Sequence, residues 1–191
     1  MRTLKMLDVR SGHLIGTVSL DGEELIFSSD GMRSAFEGLA KAEGWSTREA
    51  FDRLTGWSNG YVQLMPEITV AQVYDGTRDG EPYFAPDHPI VDDPAERERL
   101  AAYLEAGAPI LWTAALDGDR IDPARGAVVP LSFRTDGAWI WTDTVTYYLR
   151  EHWIRPDPEL VAHIAGRGYR WTEVDEAVTV HALKELYRFS G

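Results

Sequence analysis

The chain has 191 residues, 44% hydrophobic and 11% aromatic, so it is long enough to bury a sizeable core. Its 31 acidic and 19 basic residues give a formal net charge of −12 at pH 7. The basic residues are spread along the chain, which argues against nucleic-acid binding because phosphate contacts need clustered Lys and Arg. The absence of cysteine excludes disulfides, thiolate nucleophiles and cysteine-based metal centres.

No stretch of the sequence has the length and apolarity of a membrane span, and residues 1–16 lack the apolar core of a signal peptide. We therefore expect a soluble, cytoplasmic protein without a membrane partner. The default organisation is a single domain over residues 1–191. The stretch 75–93 is rich in Asp, Gly and Pro, so it is predicted to be a loop and is where a subdomain boundary would fall.

The first predicted elements are a β-hairpin and a helix. Asp21-Gly22 stands between two short apolar runs within residues 13–29, which favours a tight hairpin turn. The following helix begins at residue 29 or 30 and ends at Gly44. Its apolar stripe comprises Met32, Phe36, Leu39 and Ala40.

A second helix is predicted from the capping box between Ser46 and Glu49, and it buries Phe51 and Leu54. Residues 61–74 then have the pattern of extended structure, interrupted at Pro66. These two elements complete the predicted N-terminal part of the chain.

The clearest helix signal lies at residues 93–107. Asp93 is the predicted N-cap, Pro94 occupies the first helical position, and Gly107 ends the helix. Its buried side chains are predicted to be Leu100, Tyr103 and Leu104.

Strands are expected at 109–116 and 127–133, joined by a polar loop, and a hairpin follows. Three further helices are expected to begin near Asp143, Asp157 and Thr172, the last with Asp175 in its cap. The pattern predicts an α+β fold, in which antiparallel hairpins form a sheet and helices pack mainly on one face.

The segment 131–142 predicts a hairpin with a two-residue turn at Asp136-Gly137. In that register three pairs lie opposite each other: Arg134 and Trp139, Ser132 and Trp141, and Phe133 and Ile140. Because strand side chains alternate, Phe133 and Ile140 occupy one face while both tryptophans occupy the other. Both faces are apolar, so both need a covering layer.

Two kinds of cover for the tryptophans are open. In the structural alternative, the next helix folds back through Val145, Tyr148, Leu149 and His152, and Arg134 stacks on Trp139. In the functional alternative, a ligand or a partner protein covers the indoles, since aromatic and arginine side chains carry much of the binding energy at interfaces.

The remaining polar candidates carry weaker signals. His152 is expected to be a hydrogen-bonded, partly buried imidazole rather than a general base. Asp117, Asp119 and Asp122 do not have the glycine and glutamate positions of a calcium loop, so we interpret them as a solvated turn.

The central loop holds side chains of metal-ligating type, but their spacing matches no metal signature: Asp87, His88, Asp92 and Asp93. No catalytic or nucleotide-binding motif occurs in the chain. We therefore assign no catalytic residue, no metal and no cofactor, and the question of an enzyme stays open.

The run from Arg125 to Ile164 contains the pattern R-T-D-G-x-W-x-W-T-D between Arg134 and Asp143. It resembles a segment of uncharacterised soluble bacterial proteins, and it is similar to segments in immunity proteins of bacterial toxin systems. The resemblance covers about a fifth of the chain and transfers no catalytic residue.

The first functional hypothesis is a non-catalytic acidic interaction protein that binds a partner with a basic surface, such as a toxin or an enzyme. The alternative is a small-molecule-binding protein or enzyme with a pocket between the Trp139/Trp141 hairpin and the central loop. A structural or oligomeric role through exposed strand edges or the last helix is a third option, although the sequence carries no signal for an oligomeric state. The candidate binding residues are Arg134, Asp136, Trp139, Trp141, Asp143, Tyr147 and His152.

Overall fold

The computed structural model describes residues 1–189, which form an α+β fold with mainly antiparallel strand pairs, as predicted. The chain divides into two compact units, Met1–Glu67 with Asp175–His181, and Ile68–Val174 with the residues from Ala182 onward. The stretch 75–93 lies within the second unit, and a single domain over the whole chain stays a prediction. No helix within residues 1–189 is both long enough and apolar enough to span a membrane.

The first unit contains a four-stranded antiparallel sheet and two helices. Its elements are β1 (Arg2–Asp8), β2 (Leu14–Asp21), β3 (Glu24–Phe27), α1 (Asp30–Ala42), α2 (Thr47–Arg53) and β4 (Val62–Pro66). The strand order is β3-β2-β1-β4. Strand β1 was not predicted, although Leu4 and Met6 alternate with Thr3 and Lys5 as in a half-buried strand.

The predicted caps of the first unit are confirmed. Ser29 accepts a hydrogen bond from the backbone N–H of Met32 at the start of α1, and Ser46 and Glu49 form a capping box at α2. The predicted hairpin joins β2 to β3, and Gly22 has the positive φ of 59° that its turn requires.

The second unit carries the remaining strands and helices. Its strands are β5 (Thr69–Val70), β6 (Gly76–Arg78), β7 (Glu81–Tyr83), β8 (Ala108–Leu111), β9 (Leu116–Gly118), β10 (Ala127–Pro130), β11 (Phe133–Thr135) and β12 (Trp139–Thr142). Its helices are α3 (Pro94–Ala106), α4 (Asp143–His152) and α5 (Pro158–Gly166), and α6 (Glu176–Phe189) contributes its C-terminal part. The main sheet has the order β5-β12-β11-β8, with β5 parallel to β12.

Most predicted elements of this unit occur, with shifted limits. Helix α3 has Asp93 as its N-cap and Gly107 as its C-cap, and Asp157 caps α5. The last helix begins at Glu176, later than the predicted Thr172, since Asp175 accepts a hydrogen bond from the N–H of Ala177. The predicted strand 109–116 is two short strands, β8 and β9, and the loop 75–93 contains the small β6–β7 hairpin.

The register predicted for the aromatic hairpin is wrong. Arg134 lies opposite Trp141, and Thr135 lies opposite Ile140, so residues 136–139 form a four-residue loop. The reason is that Asp136 accepts hydrogen bonds from the backbone N–H groups of Ala138 and Trp139, which a two-residue turn does not provide. The register differs by two residues, so each side chain keeps its predicted face.

The two-sided burial of this hairpin is confirmed. Ile140 packs with Ile68, Ala182 and Leu186 on one side. On the other, Trp139 and Trp141 belong to a core that includes Tyr103, Leu104, Val145 and Leu149. Helix α3 covers Trp141 directly, because the indole Nε1 of Trp141 donates to the carbonyl of Leu104 at 3.2 Å. The tryptophans are therefore core residues, covered by α3 as well as by the predicted helix α4.

Candidate functional site

Within residues 1–189, the seven candidate binding residues do not share either of the two clefts described below. Arg134 and Asp143 form an ion pair, with 2.6 Å between Nε and Oδ1. Nη1 of Arg134 donates to two backbone carbonyls near the end of α3, including that of Gly107. The expected stacking of Arg134 on Trp139 is replaced by these contacts, and Arg134 serves to hold β11 against α3 and α4.

Asp136 is a buried hydrogen-bonding centre. Its Oδ1 accepts from the N–H groups of Ala138 and Trp139, while its Oδ2 accepts from the Tyr103 hydroxyl and from Nε2 of His163, both at 2.6 Å. Burial acts to raise the pKa of Asp136, but the hydrogen bond and charge of His163, followed by the other donors, outweigh it and lower the pKa to about 2. Because its buried carboxylate joins the hairpin loop to α3 and α5, Asp136 stabilises the fold.

A second centre of this kind forms around Asp119. The side chain of Asp119 is wholly buried and accepts from Nε2 of His152 at 2.6 Å and from the Tyr147 hydroxyl at 2.9 Å. The N–H groups of Ile121 and Asp122 bind its other oxygen. The interpretation of this segment as a solvated turn is therefore wrong for Asp119, whereas the partly buried, hydrogen-bonded state expected of His152 is confirmed.

The same contacts explain the titration of this cluster. Burial acts to raise the pKa of Asp119, and the hydrogen bonds from His152, the backbone and Tyr147 lower it to about 2. Burial, together with the bond to Asp119, raises the pKa of Tyr147 to about 12. At neutral pH an ionised carboxylate thus holds a tyrosine hydroxyl and an imidazole in place.

Acid is expected to destabilise the chain through these two buried carboxylates. The pKa values of Asp119 and Asp136 are about 2 in the folded state against an ordinary 3.8, so their stabilisation is complete above 3.8 and is lost as the pH falls toward 2. For Asp136 this amounts to about 2 kcal/mol. Urea denaturation at several pH values between about 5 and 2 measures it. A midpoint that does not change over this range would contradict the assignment.

His88 fixes the central loop to the rest of the second unit. Its Nδ1 lies 2.8 Å from an oxygen of Asp75, and its Nε2 lies 2.9 Å from the carbonyl oxygen of Arg155. Both ring nitrogens of His88 thus face hydrogen-bond acceptors. The hydrogen bond from the N–H of Ala85 lowers the pKa of Asp75. Burial acts to raise this pKa, and His88 acts to lower it further. In the central loop, His88 thus makes hydrogen bonds within the protein. Among residues 1–189, no group of three or more His, Asp or Glu side chains is placed so that it could hold a metal ion.

Two clefts border on His88. The first, with a volume of about 460 Å³, lies between the Trp139 hairpin and the central loop. We call it the acidic cleft, because it contains three carboxylates and no lysine or arginine. Its wall and its acidic groups include Val73, Tyr74, Trp139, Asp75, Asp157 and Glu159.

The charges of the acidic cleft are only partly neutralised. Asp75 is paired with His88, and the oxygens of Asp157 accept backbone hydrogen bonds, including one from the N–H of Gln72 at 3.0 Å. Glu159 has no ion-pair partner within residues 1–189. Within the described residues the cleft therefore keeps at least one carboxylate without a neutralising partner, and the same cleft is lined by Tyr74 and Trp139.

The second cleft is larger, about 690 Å³, and we call it the apolar cleft. Its walls include Phe84, Ile90, Ile121 and Ile154. Arg120 and Asp119 also border on this cleft. Arg120 is paired with Glu81 and with Asp117, and Asp119 is paired with His152. The apolar cleft therefore offers mainly apolar surface.

Of the seven candidate residues, Trp139 lines the acidic cleft and the other six line neither cleft. Sequence reasoning missed Tyr74 and Glu159, and it identified Asp157 only as a helix cap. Asp157 and Glu159 flank Pro158 at the start of a helix, and Tyr74 ends an extended run. None of these signals points to a cleft, because its lining comes from four separated segments of the chain.

No family model matches the chain, and searches of curated proteins and of solved structures find no match either.

Proposed function

We propose that this chain is a non-catalytic interaction protein that binds a partner protein with a basic surface, of the kind that an immunity-type inhibitor of a basic toxin or enzyme would recognise. The observation that carries the proposal is the acidic cleft, which is lined by three carboxylates, two aromatic side chains and His88 but by no lysine or arginine. Such a site suits a lysine or arginine side chain.

The aromatic wall adds a contact for the stem of a basic side chain. Trp139 is 8% exposed, and Tyr74 is partly exposed beside it in the acidic cleft. The methylene groups of Lys or Arg pack on apolar surface while the charged head group reaches the carboxylates. The net charge of −12 adds a longer-range attraction that raises the association rate of a basic partner and weakens with salt.

Replacing Glu159 with glutamine is expected to weaken the binding of an oligoarginine peptide by roughly two- to fivefold, as for the loss of one exposed charge. Fluorescence anisotropy of the labelled peptide, at low and at physiological salt, measures the change.

The matched control is Glu173→Gln, which removes an exposed glutamate that does not line the acidic cleft. If both variants weaken binding equally, the peptide responds to net charge alone and the acidic cleft is not the site. Binding of the unmodified chain that does not depend on salt would also contradict the proposal.

A second candidate function is the binding of a small molecule in the apolar cleft. Its volume of about 690 Å³ is within the usual range for small-molecule sites. A thermal-shift screen against metabolites and metal ions distinguishes this function, because a ligand that binds only the native state must raise the Tm.

A further inference from the structure

The apolar cleft presents large aliphatic side chains that the described residues leave uncovered. Ile90 is 46% exposed and Ile121 is 42% exposed, and both line this cleft together with Ile154 and Phe84. Exposed aliphatic groups around a concave site favour an apolar occupant, because covering them removes apolar surface from water.

The charged groups beside this cleft do not favour an ionic occupant. Arg120 contacts the carboxylates of Glu81 and Asp117, and Asp119 accepts hydrogen bonds from His152 and Tyr147. A ligand carboxylate or phosphate would compete with these two carboxylates for Arg120. An uncharged side chain meets no such competition.

The acidic cleft and the apolar cleft adjoin, because His88 lines both. Its two ring nitrogens are held by Asp75 and by the carbonyl of Arg155, and its ring packs edge-on against Phe84 at 5.2 Å between centroids. The boundary between the two clefts is thus a side chain fixed on three sides. The two clefts therefore share a wall at His88.

We infer that the two clefts form one bipartite docking surface for a single segment of the basic partner, with a Lys or Arg side chain in the acidic cleft and a large aliphatic side chain in the apolar cleft. This inference rests on the proposed function and specifies the partner more narrowly. The carboxylates of the acidic cleft favour a basic side chain by electrostatic complementarity. The exposed isoleucines of the apolar cleft favour an apolar side chain in the same segment.

Peptides that pair one arginine with one leucine test the inference. A panel separates the two residues by about two to six positions, since an extended chain advances about 3.3 Å per residue. A second panel replaces the leucine with serine. At the best spacing, the leucine peptide is expected to bind roughly tenfold more tightly than its serine counterpart, as for the burial of one aliphatic side chain.

Two variants test whether the tighter binding of the leucine peptide arises in the apolar cleft. Ile121→Ser should remove most of the leucine preference, whereas Leu116→Ser should preserve it, because Leu116 is 51% exposed and does not line the apolar cleft. Both positions are exposed, so neither change should prevent folding.

The outcomes separate the inference from the proposed function. Equal affinity of leucine and serine peptides at every spacing, with salt-sensitive arginine binding retained, would overturn the bipartite surface and leave the acidic cleft as the site. Leucine peptides that bind equally well without arginine would also overturn it. If no arginine peptide binds at all, the proposed function itself is wrong.

Discussion

Replacing Asp136 with alanine is expected to lower the free energy of unfolding by about 3–5 kcal/mol, a large share of the total of about 5–15 kcal/mol for a typical domain. The change removes the acceptor for four donors, the N–H groups of Ala138 and Trp139, the Tyr103 hydroxyl and the His163 imidazole. Two of these donors fix the register of the aromatic hairpin, so the loop is expected to lose its conformation together with the stability. Urea denaturation followed by tryptophan fluorescence measures the effect.

Two further variants make this result specific. Asp93→Ala removes an exposed helix cap that accepts one backbone hydrogen bond, so it should cost only about 1 kcal/mol. Asp136→Asn keeps an acceptor for the backbone N–H groups but not the charge that pairs with His163, and it should be intermediate. If Asp136→Ala costs no more than Asp93→Ala, the buried centre does not stabilise this unit as described.

Replacing Gly107 with alanine is expected to destabilise the second unit by about 1–3 kcal/mol. The added Cβ would overlap the six-membered ring of Trp141, which is wholly buried, and it would lie 3.1 Å from the Cβ of Arg134. The φ of Gly107 is −50°, so the backbone itself tolerates a side chain and the cost comes from overpacking. Thermal unfolding monitored by circular dichroism provides the measurement.

Gly38→Ala is the control for this prediction. Gly38 lies in helix α1, and a Cβ there would meet no atom within 4 Å, so alanine should stabilise by about 0.5–1 kcal/mol. The cost of Gly107→Ala should also fall in a Trp141→Phe background, because phenylalanine occupies less space than tryptophan. An equal cost in both backgrounds would show that the Trp141 ring is not the obstacle.

Local signals predicted the helices of this chain best. The capping box of Ser46 and Glu49 and the Asp93-Pro94 start of α3 each depend on residues within a single turn, and the structure has both. Strand limits were predicted less well, because strand pairing depends on partners far along the chain. Thus β1 shows the alternation of a half-buried strand over only a few residues, and its partner β4 lies more than fifty residues away.

The hydrogen-bonding centres around Asp119 and Asp136 were not predicted, again because their partners lie far along the chain. Asp119 stands in a polar run that is typical of a turn, and its carboxylate is buried because His152 reaches it from a helix 33 residues later. The hydrogen bond between Asp136 and His163 joins the loop of the aromatic hairpin to helix α5. A local pattern does not contain such partners, so it cannot separate a buried carboxylate from a solvated one.

By itself the sequence determined that the hairpin at 133–142 is apolar on both faces, since side chains alternate along a strand whatever surrounds it. It also determined where most helices begin, because a cap forms between residues that are close in the chain. Only the tertiary structure decided which layer covers the tryptophans, which carboxylates are buried, and where the two clefts lie. Those features arise from contacts between segments that the chain brings together only on folding, and such contacts depend on distance in space rather than on position in the sequence.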